Sequence, residues 1–509
     1  MDRGVRDQLG VDGGDGVLRQ LSPTCALVTV ITAVFAVIAW AGVEQFRSSG
    51  GDDEVAFRSY VDELSATHHL PKPSENVEYA LPPGVPALGV ALNWAFKPIT
   101  PNRPSPLLQS LPRLLRRLLW LALVAGAAAL IARAPPLAPR WLIGVGVWLA
   151  AATWAWIYVS AAADNEPWLP LVLIDFVSAV ALVPVAAWLA YEMWPQSRWA
   201  PALGALGAAL LPPIFAASLY FHPDTPFALV ATIATALVLR ALRTGLTIPA
   251  GVAAGIALGA AALTRQSAAV VAVALLGAVV LVARRGAWKF TAAAIVAMFV
   301  VAGPWWYHQI QVYGNPVQSN LNRPGYMLDH QPRSFYVSLP PELVTRPHYY
   351  HFENKLLPRF HAYLWSDWSG GYHRLWVSPK RHARTLASVQ SVLGFGGDAL
   401  VLGGLAMLGL PALLRAVRRR SSGTDNALAV LTTLFVVSWV AYVTTLIRFP
   451  QKGGDPIKVH YLLFLGPISV VLAIAGGGAF GRSGRRRALL LAWVAVYALS
   501  WTFTLATAF

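Results

Sequence analysis

The chain has 509 residues, of which 56% are hydrophobic and 13% charged, with a mean hydropathy of +0.52 and a formal net charge of +16. No water-soluble domain of this length needs so much apolar sequence, which excludes an ordinary globular enzyme and points to an all-α, multipass membrane protein. In a soluble chain the basic excess would suggest nucleic acid; here it fits the positive-inside rule, and no nucleic-acid partner is expected.

Hydropathy predicts about thirteen membrane-spanning helices. They fall near 25–45, 113–133, 141–161, 168–193, 200–220, 225–243, 248–264, 267–283, 289–306, 392–414, 427–447, 459–479 and 488–507. The first follows a tail, residues 1–24, that carries Arg3, Arg6 and Arg19. It lacks a small-residue cleavage site and reads as a retained helix, not a signal peptide. Ala/Gly-rich spans such as Ala250 to Leu263 should pack closely through their small residues. The two short spans within 248–283 are split only by Arg265-Gln266 and also fit a hairpin that does not fully cross. Cys25 is the single cysteine, so no intramolecular disulfide can form.

Charge orients these spans. With the N-terminus in the cytoplasm, the inner segments hold Arg133, Arg140, Arg198, Arg240, Arg243, Arg284, Arg285, Lys289, Arg415, Arg418, Arg419, Arg420, Arg482, Arg485, Arg486 and Arg487 besides the tail arginines. The short outer loops hold only Arg265, Arg448, Lys452 and Lys458. That asymmetry predicts an odd number of spans, a plasma-membrane location and an extracytoplasmic C-terminus. Two long outer segments remain, 46–110 within a transmembrane core of 25–306, and 307–391 before the C-terminal helices of 392–509. Loops this long are usually functional, and both are expected to carry short helices, with Trp94 and Phe96 as interfacial anchors in the first.

Asp52, Asp53 and Glu54 follow the first span. Adjacent side chains cannot all point one way, so one acid can face a site while a neighbour caps the next helix. Read chemically, the cluster supplies a general base for an acceptor hydroxyl; read structurally, it is a helix start in a solvated loop. His222-Pro223-Asp224 opens a later span, where Asp224 fits a helix cap; two possible ligands make a poor metal site. The segment 348–373 carries His348, His351, His361 and His373 without a recognised metal-ligand spacing, so no metal or other cofactor is expected, although a divalent cation is left open. Its Trp365, Asp367, Trp368 and Tyr372 suit carbohydrate, or an aromatic belt at the membrane surface. No nucleotide-binding fingerprint stands out.

The order of parts resembles the membrane-embedded GT-C glycosyltransferases, and more narrowly the protein O-mannosyltransferase and aminoarabinose-transferase branch. The matching pieces are DDEVAFRSYVDELSATHHLPKP after the first helix, EYALPPGVPAL at 78–88, FHPDTPFALVA at 221–231, GIALGAAALTRQSAAVV at 255–271, LWSDWSGGYH at 364–373 and KVHYLLFLGP at 458–467. They cover about residues 25 to 480 in order. The departures are a third acid in the first cluster and a Gly-Gly-Asp insert in RFPQKGGDPIKVHY.

The resemblance implies an inverting transfer of a sugar from a polyprenyl-phosphate donor to a hydroxyl or amine of an acceptor glycan, lipid or protein at the outer membrane face. It places the base at Asp53, with Asp52 as the competing choice and Glu54 as the supporting acid. A lipid phosphate needs cations at the membrane boundary, which nominates Arg265, Lys452, Lys458 and His460. A snorkelling arginine, or general contact with membrane lipids, is the plainer reading of these residues. His222 and Asp224 then become sugar-pocket groups, joined by Trp365, Asp367 and Tyr372. A flippase for a lipid-linked sugar, or a membrane protein without catalysis, is the alternative. The scarcity of mid-span charge beyond Asp175 and Asp398 speaks against a route between leaflets.

Overall fold

In a computed structural model of the chain, residues 13–45, 52–72, 74–76, 78–96, 169–318, 332–338, 355–366, 381–418, 423–448 and 459–508 are described. Among them there is no strand. The helices are α1 (Gly13–Gln45), α2 (Asp52–Thr67), α3 (Gly84–Phe96), α4 (Leu169–Met193), α5 (Ala200–Ala209), α6 (Pro212–Ala217), α7 (Asp224–Thr244), α8 (Ile248–Thr264), α9 (Ala268–Ala283) and α10 (Trp288–Tyr313). After them come α11 (Arg333–Val337), α12 (Leu356–Trp365), α13 (Arg381–Gly404), α14 (Leu410–Val417), α15 (Thr424–Arg448), α16 (Leu465–Phe480) and α17 (Gly484–Ala508). Seven of the described helices are long and apolar enough to cross a bilayer, and four shorter apolar helices of 10–17 residues accompany them. All fall on expected spans; the expected spans at 113–133 and 141–161 lie outside the described residues. The protein is an all-helical, multipass membrane protein, with short helices α2, α3, α11 and α12 in its two long connecting segments.

Several boundaries differ from hydropathy for clear reasons. The run at 200–220 is not one crossing helix. It breaks at Leu211, which is extended at ψ 111° ahead of Pro212-Pro213, so α5 and the single-turn-and-a-half α6 share the passage. Helix α1 begins at Gly13, inside the expected tail. Helix α10 runs through the polar and aromatic stretch to Tyr313 and stops at Gly314 in the left-handed conformation, φ 68°. Helix α13 starts at Arg381, because its first turns are polar and invisible to hydropathy, and passes through a π-turn at Leu405–Gly409 into α14.

Small residues set the packing. Gly251, Gly255 and Gly259 line one face of α8 at four-residue spacing. A Cβ at Gly251 would strike the Phe290 carbonyl of α10, and one at Gly255 the Ala294 carbonyl. The two backbones therefore touch, as small-residue stripes permit between membrane helices that gain nothing from excluding water. Helices α4 and α7 run in the same direction, as their polar ends show. Near their starts, Asp175 lies beside the His222 backbone. Near their ends, Glu192 of α4 accepts two hydrogen bonds from Arg243 of α7, at 2.6 and 2.8 Å, and one from Trp188 at 2.8 Å. The broken α5–α6 passage carries the chain back between the two ends, and so delivers Phe221 to Asp224 beside the first turns of α4.

Gly255→Ala is expected to lower thermal stability in detergent by about 1–3 kcal/mol through overpacking. Gly277→Ala on α9, where an added Cβ meets nothing within 4 Å, should be neutral or stabilising by up to about 1 kcal/mol. Equal melting of Gly255→Ala and the parent chain would contradict the close α8–α10 approach.

Candidate active site

Helix α8 ends at Arg265, whose backbone turns extended (φ −148°, ψ 141°) and swings its side chain off the helix end. The guanidinium Nε donates to Asp224 Oδ1 at the start of α7. The Asp224 side chain is only 2% exposed and that of Arg265 18%. Tyr461, in the 3-10 turn Val459–Leu462, lies under the guanidinium, 5.0 Å from its ring centre. Among the described residues the terminal amino groups of Arg265 make no hydrogen bond, so the outer part of the fork can take an anion. Burial, the largest single effect, would lower the pKa of Arg265, but the charge and hydrogen bond of Asp224 together with Tyr461 and Glu78 hold it above its ordinary value.

Asp224 does not cap its helix. The residue before α7 is Pro223, and no side-chain cap bond forms there, which corrects the cap reading. Oδ2 of Asp224 lies 2.7 Å from His222 Nδ1, and the Asp224 N–H donates to the same nitrogen at 3.4 Å. His460, from the turn before α16, sets its ring edge-on to His222 at 4.7 Å and its Nε2 3.7 Å from Asp224 Oδ2. His222, Asp224 and His460 thus offer three potential metal-ligand atoms, all within 4.8 Å of one another. The sequence showed two ligands; the third arrives from more than two hundred positions away.

The acidic segment after α1 reaches the same place. Asp52 and Asp53 open α2; their side chains lie outside the described residues. Glu54 is buried, pairs with Arg58 one turn on, and accepts from the Phe221 N–H at 3.3 Å. Phe57 packs edge-on against the His222 ring at 4.7 Å. Asp175, fully buried in α4, accepts from the His222 N–H at 2.9 Å. Two carboxylates on different helices therefore hold successive backbone N–H groups of one turn, which is how a buried acid avoids an unmatched charge. The sequence marked Asp175 only as a rare mid-span charge, the signal that could have assigned it here.

Gln266 ties the two long connecting segments to this end of the bundle. Its amide donates to the carbonyls of Ala80, at 2.9 Å, and of Gln318. Gln318 donates to the Tyr79 hydroxyl at 3.3 Å, and Tyr79 packs on Tyr313 at 5.4 Å.

Trp365 has a different setting. Its indole N–H donates to Asp398 at 2.9 Å, and its ring covers the backbone at Gly394 and Gly397 of α13. His361 stands one turn earlier, 2.7 Å from the other Asp398 oxygen and 3.0 Å from the Ser391 carbonyl. The side chain read as a sugar platform is thus a buried clamp between α12 and α13, 7% exposed. Lys452, Lys458, Asp367 and Tyr372 lie outside the described residues.

Breaking one half of a partly buried ion pair strands the other charge. Asp224→Asn and Arg265→Gln are each expected to destabilise the protein by about 3 kcal/mol, and the double variant by clearly less than the sum. Additive losses in thermal unfolding would show that the two side chains do not act as a pair.

No family model matches the chain, and no curated protein matches it. Among solved structures it is similar to ArnT from Cupriavidus metallidurans in the apo state, with 15% identity, a TM-score of 0.40, and 88% of this chain and 77% of that one covered. It is likewise similar to the same protein bound to undecaprenyl phosphate, with 16% identity, a TM-score of 0.38, and 89% and 78% covered.

Proposed function

We propose that the chain is a membrane glycosyltransferase. It moves a sugar from a polyprenyl-phosphate donor to an acceptor hydroxyl or amine of a glycan, lipid or protein, with inversion, at the outer face of the plasma membrane. One observation carries this reading: segments around residues 54, 175, 222–224, 265 and 460 meet at one end of the bundle, bringing a half-available guanidinium and the start of an acidic helix to the same turn.

The chemistry needs few parts. The acceptor gives its proton to the Asp53 carboxylate, and its lone pair forms the bond to the anomeric carbon from the face opposite the phosphate. The bond between that carbon and the phosphate oxygen breaks with its electrons, releasing polyprenyl phosphate. Arg265 faces the charge that grows on the leaving phosphate, and Asp224 holds the guanidinium so that little reorganisation is needed. Lys452 and Lys458 are assigned as further phosphate cations. Glu54 acts as a positioning residue, because its bond to Phe221 N–H fixes the α2 start against the Phe221–Asp224 turn. The gathering of polar side chains at this end favours surface chemistry over passage of a lipid headgroup between leaflets.

Asp53→Asn is expected to reduce transfer at least about a hundredfold with unchanged protein level, measured with purified protein and a panel of radiolabelled polyprenyl-phosphate sugars. Arg265→Gln should weaken the lipid phosphate as well as slow turnover. Full activity in both Asp53→Asn and Asp52→Asn would remove the proposed base, and donor flipping in liposomes without transfer would favour a flippase.

A further inference from the structure

We infer that His222, Asp224 and His460 form a binding site for one divalent ion of the zinc class. The inference does not depend on the transfer reaction. Two imidazoles and one carboxylate suit zinc, cobalt and related ions, whereas magnesium and calcium favour all-oxygen sets.

The distances fit. Tetrahedral ligands at about 2.0–2.1 Å from zinc stand roughly 3.4 Å apart. The Asp224 Oδ2 contacts to His222 Nδ1 and His460 Nε2, at 2.7 and 3.7 Å, bracket that value. Three protein ligands leave a fourth position for water or another ligand.

The contacts around Asp224 point the same way. His222 Nδ1 lies 2.7 Å from Asp224 Oδ2, with the Asp224 N–H directed at the same nitrogen from 3.4 Å. Asp224 Oδ2 is buried and has no hydrogen-bond partner among the described residues. One cation placed among the three atoms would serve the carboxylate oxygen and both imidazoles at once. The surroundings are already built to hold such ligands. Arg265 anchors the opposite carboxylate oxygen, and Asp175 anchors the His222 backbone, the outer support that fixes ligand direction in metal sites.

The test uses the purified full-length chain in nanodiscs, stripped with a chelator and titrated with Zn²⁺ or, for its visible spectrum, Co²⁺. The expected result is one ion per chain. His222→Gln and His460→Gln should each weaken binding at least roughly tenfold, while His361→Gln, in the α12–α13 clamp, leaves it unchanged. Asp53→Asn, inactive in transfer, should still bind the ion, which separates this inference from the proposed reaction. Metal-free melting temperatures check the folding of each variant, and Zn²⁺ should raise that of the parent chain but not of the two histidine variants. No stoichiometric uptake by the parent chain would overturn the site. So would uptake that survives both substitutions, since His348, His351 or His373 would then hold the ion.

Discussion

A single buried ion pair, Arg265 with Asp224, organises this end of the molecule. Arg265 ends α8 and Asp224 begins α7, so the pair locks two helix termini together where each would otherwise leave polar groups unmet. A carboxylate this deep requires a charged or hydrogen-bonding partner. One oxygen takes the guanidinium; the other faces two histidines from different parts of the chain. The same interaction explains why the arginine is poised for an anion. It is held at one edge by a carboxylate and beneath by Tyr461, and its remaining donors point away from that grip.

The bundle supplies the conditions for that pair. Glycine-mediated contact between α8 and α10 fixes the height of the Arg265 turn, and α4 against α7 fixes the height of the Phe221–Asp224 turn. Glu54 and Asp175 then pin that turn through consecutive backbone N–H groups. Gln266, one position beyond the ion pair, bonds to carbonyls of both long connecting segments. Any movement of those segments is therefore felt next to the guanidinium. The His361–Asp398–Trp365 clamp does comparable work for α12 and α13, with Trp365 pressed on glycine backbone.

Much of the fold was legible in the sequence, because long apolar runs dictate helices in a medium that cannot hydrogen-bond to the backbone. The break at Leu211-Pro212 was written in the sequence too, as paired prolines inside an apolar run, but hydropathy averages over it. The overruns of α10 and α13 were not legible to hydropathy, since their outer turns are polar. At the site, residue types were recognisable and partnerships were not. Arg265 stood out as the sole base of its loop, yet nothing in its neighbourhood names Asp224, 41 residues earlier. His460 read as a phosphate contact or an interfacial residue, with nothing to pair it with His222 until the fold set the two rings together. Trp365 shows the converse, since an aromatic beside polar residues suits a sugar or a clamp equally well, and only its glycine-lined seat decides.

The central claim is that these scattered groups form one headgroup site for a lipid phosphate. Photo-crosslinking tests it most directly, using a polyprenyl phosphate with a photoreactive group next to the phosphate and mass-spectrometric mapping of the labelled peptides. The account predicts label on peptides containing 222–224, 265–266 and 460–461 together, suppressed by excess unlabelled polyprenyl phosphate. Label confined to other segments, or insensitive to that competitor, would contradict it.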